Sequence, residues 1–325
     1  MKYTQDNTVK EILEGDWLVP YKGFFDQEFI ESVESELPLE TWYERGYTIY
    51  QIESLLNAIN ILREKYEADT DLFIPIWEGS SEEEKIEVQD IVGIPFLIDR
   101  ESPCYIVCAG GGYVCNVLKN EGIETAMELN KLGVNVLVLT YRVAPYQFPK
   151  PQQDLIRAIQ FVRANKERFH VKDEVVIMGY SAAGHLCGSV GALYDQIDMP
   201  EFNKAVSKRP NAIILNYPVV SLVNDPHVGS ADNLLGEDAD QERRKSLSIE
   251  QLVDKNYPPT FLWHCTADDL VLPSNSILLN KTLEEHHVPH EFHLYPGGGH
   301  GCGLAIGSEA ESWISSAVRF VDKHI

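Results

Sequence analysis

The run Val175-Val176-Ile177-Met178-Gly179-Tyr180-Ser181-Ala182-Ala183-Gly184-His185-Leu186 constrains the fold more than any other part of the chain. Its apolar, β-branched first half reads as a strand, and the small residues after it read as a turn that enters a helix directly. Strand and helix then approach so closely that larger side chains would collide. Such a turn lifts Ser181 above the sheet edge on a strained backbone and makes it the candidate nucleophile. Read alone, the same residues also suit a strand, a tight turn and a serine that caps a helix. The remainder of the chain has to decide between the two.

Strand and helix signals alternate from about residue 100 onward. Strands are expected at Cys104 to Ala109, Val134 to Tyr141, the Val175 run, Ala212 to Tyr217, Thr260 to Cys265 and Glu291 to Tyr295. Helices are expected at Ile123 to Leu132, Gln152 to Phe169, after Ser181, at Ser274 to Glu285 and at Ser308 to Lys323. This rhythm predicts an α/β fold, a mostly parallel central sheet with helices on both faces. Asn224 to Tyr257 breaks the rhythm, being polar and poor in strand formers, and reads as an insertion near the strand ends where such folds place their ligand sites. Residues 71–325 therefore read as the catalytic domain, with that insertion near 224–257, entered through the solvated turn Gly79-Ser80-Ser81-Glu82-Glu83-Glu84. Residues 1–70 read as an N-terminal helical extension or part of a cap. It would hold an amphipathic helix from Tyr47 to Tyr66, with Ile49, Ile52, Leu55, Leu56, Ile59 and Leu62 on one face, and a shorter helix from Gln27 to Glu36. Aromatic residues between them (Trp17, Tyr21, Phe24, Phe25, Trp42, Tyr43) suit docking on the main domain.

The net charge of −23 argues against nucleic acid or an anionic membrane as partner. Much of it lies early, where the first 100 residues hold 8 basic and 23 acidic side chains. Neutral substrates are favoured over anionic ones. No apolar run approaches the roughly 20 residues that span a bilayer, and Met1 to Asp6 lacks the apolar core of a signal peptide. The expected location is cytoplasmic. Six cysteines without a C-x-x-C pair then read as free thiols, with Cys104 and Cys108 sharing one face of a strand as core packing.

A serine hydroxyl needs an adjacent base, and the base needs an orienting group. Asp268 follows the Thr260 strand and His300 follows the Glu291 strand, inside Gly297-Gly298-Gly299-His300-Gly301. The order nucleophile, acid, histidine is that of the α/β-hydrolase sheet. Asp269 adjoins Asp268 and competes with it, although a strand-end loop usually aims one carboxylate inward and the next outward. His264 reads as a satisfied core histidine, His286 and His287 as helix-end residues, and His185 as packing. His290 and His293 point to opposite faces and make a poor metal pair. Gly110-Gly111-Gly112 can aim unobstructed backbone amides, so Gly111, Gly112 and Ala182 are the candidate oxyanion donors. The loop is also a flexible turn in form. It is not followed by the further glycines or Lys of a nucleotide-binding loop.

Six segments in this order resemble the esterase/lipase group of α/β-hydrolases. They are Cys108-Ala109-Gly110-Gly111-Gly112-Tyr113, Tyr141-Arg142-Val143-Ala144-Pro145, Gly179 to Leu186, Asn216-Tyr217-Pro218-Val219, His264-Cys265-Thr266-Ala267-Asp268-Asp269 and Gly299-His300-Gly301. The group includes hormone-sensitive-lipase-like esterases. The more similar members are bacterial acetylxylan-esterase-like and feruloyl-esterase-like carboxylesterases. Two positions depart from the pattern: Ala109 stands where the lipase-like members carry a histidine, and Ala183 where the turn usually has its second glycine. The resemblance implies a serine hydrolase that removes short acyl groups, acetyl foremost, from xylan-derived or related carbohydrates, without cofactor or metal.

Tyr113, Tyr180 and Pro218 are expected to shape the substrate pocket. The expected partner is a small-molecule or oligosaccharide ester, and homo-oligomer formation is left open. Two rival readings stand beside this one. A serine peptidase could use the same triad, and a hydrolase fold without activity could bind a ligand or protein.

Overall fold

The computed structural model describes residues 2–13, 36–41, 49–68, 72–77, 87–88, 90–200 and 206–325. The Gln27 to Glu36 helix, the aromatic residues named above and the Glu82-Glu83-Glu84 turn lie outside the described residues, save Glu36.

Eight strands form one sheet: β1 (Ile74–Pro75), β2 (Val92–Phe96), β3 (Ser102–Cys108), β4 (Asn135–Leu139), β5 (Val171–Tyr180), β6 (Ala212–Asn216), β7 (Thr260–Cys265) and β8 (His290–Tyr295). Their spatial order is β1-β2-β4-β3-β5-β6-β7-β8. The six strands from β4 to β8 run parallel. β2 is antiparallel to both β1 and β4. Every residue of β4, β6 and β7 is buried, which explains their nearly continuous apolar sequences: helices cover both faces. One face carries Leu56, Ile59 and Leu62 of the helix Ile49–Glu67, together with Ile123, Ala126 and the C-terminal helix Trp313–His324. The other carries the helices Lys150–Ala164, Ser181–Leu193 and Ser274–Glu285. The described N-terminal residues thus join the main core, since Ile12 and Leu39 are also fully buried in it.

After β3 the chain moves outward to β4, whereas after β5 it moves to β6 on the opposite side. The loops after β3 and β5 therefore part company at a topological switch point, where open α/β sheets form a crevice. Gly110 to Gly112 follow β3 and Ser181 follows β5 directly, so both stand at this point.

Several boundaries differ from expectation for identifiable reasons. No strand was expected before Cys104, yet β2 forms; Pro95 within it breaks the usual strand signal. The helix expected at Ile123 to Leu132 instead begins as a π-helical turn, Lys119–Glu124, and continues as Thr125–Lys131. The long helix expected from Gln152 to Phe169 breaks at Asn165 (φ −119°) into Lys150–Ala164 and a single turn, Lys166–Phe169. The last helix begins at Trp313 rather than Ser308. The Asn224 to Tyr257 segment holds three short helices, Val228–Leu235, Gln241–Ser246 and Ile249–Leu252. All six cysteines are free, with Cys104 and Cys108 buried in the core. No described helix is long and apolar enough to cross a membrane.

Candidate active site

Ser181 is the first residue of the helix that follows β5, and its φ is +51°. A non-glycine residue in this region is strained and persists only where the surroundings hold it. Here the Ser181 carbonyl accepts the amide of Val219 at 3.0 Å. Two glycines make the turn sterically feasible. A Cβ on Gly179 would lie 2.0 Å from the Ala183 carbonyl oxygen, and one on Gly184 would lie 2.5 Å from Pro218 Cβ. The second close approach therefore falls at Gly184, and Ala183 fits without a clash.

The Ser181 hydroxyl lies 2.7 Å from His300 Nε2, and His300 Nδ1 lies 2.7 Å from Asp268 Oδ2. Asp268 Oδ1 accepts the amides of Leu270 (3.1 Å) and Val271 (3.0 Å), so the carboxylate is fixed from both sides. Burial alone would raise the Asp268 pKa. Hydrogen bonds from His264 and His300 outweigh it and hold the carboxyl well below the usual range. Asp269 is exposed.

His264 does more than fill the core. Its Nε2 lies 3.1 Å from Asp268 Oδ2 and 2.9 Å from the Val271 carbonyl, both acceptors, so this nitrogen carries the proton. Its Nδ1 meets Ser276 Oγ at 2.7 Å. The four-residue spacing from His264 to Asp268 was the only sequence signal for this contact.

The glycine loop has φ +130° at Gly111 and +62° at Gly112, a conformation that excludes most side chains. A Cβ on Gly110 would sit 2.9 Å from Ser181 Cβ, so the loop lies directly against the serine. Among the described residues no protein acceptor takes the amides of Gly111, Gly112 or Ala182. These amides are available to an oxyanion. Glu121, in the π-helical turn, accepts the Gly110 amide at 2.7 Å and the Tyr217 hydroxyl at 2.8 Å. Burial raises its pKa against the lowering effect of those two donors. The Tyr141 hydroxyl donates to the Ala109 carbonyl at 2.7 Å and the Ala144 amide to the Tyr113 carbonyl at 2.7 Å, which brace the loop from below. Arg142 anchors this brace through Asp154 at 2.7 Å and through Glu87.

The three residues expected to shape the substrate pocket are all buried. Tyr180 is fully buried, because as the last residue of β5 it points into the sheet face, where its hydroxyl meets Thr125 Oγ1 at 2.6 Å beside Trp313. Tyr113 is 1% exposed, turned inward by φ +61° onto His185 Nδ1 at 3.0 Å. Pro218 is buried against Gly184. All three support the site from behind. Glu121, Tyr217, His227 and His264 stand close to it and were not singled out by pattern as site residues. His185, expected as packing, is fully buried between Tyr113 and the Leu247 carbonyl. No cluster of metal-ligating side chains occurs among the described residues.

Comparison with known proteins agrees with this architecture. The BD-FAE family model matches residues 92–283. Endo-1,4-beta-xylanase B of Butyrivibrio fibrisolvens is 33% identical over 222 residues, covering 66% of this chain and 35% of that protein. The acetylxylan esterase of Xylanibacter ruminicola is 28% identical over 216 residues, covering 64% of this chain and 43% of that protein. The chain thus spans less than half the length of these curated relatives. The crystal structure of an acetyl ester-xyloside bifunctional hydrolase from Caldicellulosiruptor lactoaceticus superposes with a TM-score of 0.71 at 35% identity, covering 77% of this chain and 95% of that one. Fold, family match and this similarity converge: the chain belongs to the BD-FAE family of esterases within the α/β-hydrolase superfamily.

Proposed function

We propose that the protein is a serine carboxylesterase that removes short acyl groups, acetyl foremost, from xylan-type carbohydrates by way of an acyl-enzyme. The observation that carries this reading is the unbroken relay Ser181 Oγ, His300, Asp268, each link 2.7 Å long, beside three unclaimed amides. His300 takes the Ser181 proton as the hydroxyl attacks the ester carbonyl. Negative charge develops on the carbonyl oxygen toward Gly111, Gly112 and Ala182, and each such donor is worth about 2.7–4 kcal/mol in acyl transfer. His300 then returns the proton to the departing alcohol. In the second half His300 activates water against the acyl-serine, and Asp268 holds the imidazole tautomer throughout.

The acetyl and xylose parts of the proposal draw support from the names of two similar proteins, an acetylxylan esterase and an acetyl ester-xyloside hydrolase. The experiment is a hydrolysis profile of 4-nitrophenyl esters from acetyl to decanoyl, run beside acetylated xylosides. Fastest turnover is expected for acetyl, with Ser181→Ala abolishing it while the unfolding midpoint is retained. Full activity in Ser181→Ala would refute the nucleophile, and a preference for decanoyl would refute the substrate.

A further inference from the structure

His227 stands at the mouth of the site, one residue before the helix Val228–Leu235 of the 224–257 insertion. Its Nδ1 accepts the Ser230 amide at 3.3 Å and pairs with Ser230 Oγ at 2.7 Å. Because a backbone amide can only donate, Nδ1 is the acceptor, and the proton of the neutral ring resides on Nε2. That Nε2–H group has no protein partner among the described residues. The ring leans on the oxyanion loop: its Cε1 lies 3.9 Å from the point where a side chain on Gly112 would begin. Asn233, from the same helix, donates to the Gly112 carbonyl at 2.9 Å and holds helix and loop together. The ring also lies within electrostatic reach of the triad. Burial lowers its pKa, the charge of His300 lowers it further, and that of Asp268 opposes them.

A ring beside Gly112 and within electrostatic reach of the His300–Asp268 pair borders one particular direction from the reacting carbon. Of the four substituents of a tetrahedral intermediate, one is Ser181 Oγ and one is the oxyanion near Gly112. The departing alcohol oxygen lies near His300, which must protonate it, and the acyl group takes the direction left over. The space flanked by both Gly112 and His300 is therefore the alcohol side. We infer that His227 is a specificity-determining residue which donates its Nε2–H to an oxygen on the carbon next to the ester in the alcohol moiety. This rests on the esterase reading and narrows it to esters of vicinal polyols, the arrangement every ring-acylated sugar presents. An ester of a simple alcohol offers no such oxygen.

The test uses the full chain with two acetate esters, a mono-acetylated methyl xyloside and cyclohexyl acetate. His227→Asn retains a side-chain oxygen that can cap the helix as Nδ1 does but cannot reach the alcohol. His227→Gln extends an amide N–H toward the position of Nε2. His227→Asn is expected to lower kcat/KM for the xyloside about tenfold, as loss of one well-placed hydrogen bond does. It should alter cyclohexyl acetate less than about threefold, and His227→Gln should recover most of the xyloside activity. Equal losses on both esters, or none on the xyloside, overturn the role of His227 and leave the esterase reading standing. Failure of the wild-type protein to hydrolyse either ester overturns the esterase reading and this inference with it.

Discussion

Tyr217 donates a hydrogen bond to Glu121, 96 residues away in sequence, at 2.8 Å. That bond links the loop of Gly111 and Gly112 to the loop of His300. Glu121 holds the Gly110 amide, the Tyr217 oxygen accepts the Gly303 amide at 3.0 Å, and the Tyr217 ring meets the His300 ring edge-on with centroids 5.1 Å apart. Tyr217→Phe removes the hydroxyl and leaves a buried carboxylate oxygen and a buried amide without partners. The expected cost is about 1–3 kcal/mol of stability and a fall in kcat of about tenfold with a smaller change in KM, since a displaced loop misplaces donors needed in the transition state. Denaturant unfolding and steady-state kinetics read both quantities. A variant with wild-type kcat would show that the two loops are positioned independently.

The contact between His264 and Asp268 predicts a signature in acid. The folded carboxyl of Asp268 titrates below its ordinary value, so its contribution to stability is complete above the unfolded pKa of about 4 and is lost as pH falls through the folded value. His264→Leu removes a donor from Asp268 Oδ2, which lets the folded pKa rise toward the unfolded one. The variant should be less stable at pH 7, and its unfolding free energy should decline less steeply between pH 4 and pH 2 than that of the wild type. Urea titrations across that range decide it. Parallel slopes would mean that His264 packs against the acid without tuning it.

Much of the fold was legible because burial on both sheet faces writes long apolar strands into the chain. The limits of β7 and of the helix Ser274–Glu285 fall where periodicity and turn residues put them. β2 was invisible because Pro95 interrupts a short run, and its pairing with β4 is set by tertiary contacts. Ser181, Asp268 and His300 could be read because each follows directly on a strand end or a glycine turn, where local sequence reveals position. Side-chain direction was harder. Tyr180 adjoins the serine in sequence yet points into the core, since neighbours along a strand face opposite ways. Glu121 and Tyr217 meet only because two distant loops converge, and no local spacing encodes that meeting.

His185 predicts a second pH dependence, in a milder range. Burial pushes its pKa down to about 4, against the raising effect of the Leu247 carbonyl on Nε2, while the Tyr113 hydroxyl meets Nδ1. Below pH 6.5 the unfolded chain binds a proton that the folded ring refuses. Stability contributed by the neutral ring is complete above about pH 6.5 and is lost as pH falls toward 4, by about 3 kcal/mol in total. His185→Gln can keep one donor and one acceptor in place but does not titrate. Its unfolding free energy should change less between pH 7.5 and pH 4.5 than that of the wild type, and an equal change would assign the dependence to other groups.

The turn at Ser181 separates two glycine positions that pattern alone treats as equivalent. An alanine Cβ at Gly179 would stand 2.0 Å from the Ala183 carbonyl oxygen and 2.5 Å from its carbonyl carbon, backbone atoms that cannot step aside without moving the helix. Gly179→Ala is therefore expected to cost at least about 3 kcal/mol, the upper end for overpacking, and to abolish turnover. Ala183 is fully buried, and restoring the glycine found there in related turns removes one methyl and loosens the helix start. Ala183→Gly should cost only about 0.5–1 kcal/mol and leave kcat within about twofold, because the Ser181 backbone is held by Gly179, Gly184 and the Val219 amide rather than by this residue. Thermal unfolding together with turnover of 4-nitrophenyl acetate compares the two. A collapse of activity in Ala183→Gly would mean that the methyl itself sets the angle at which Ser181 meets His300.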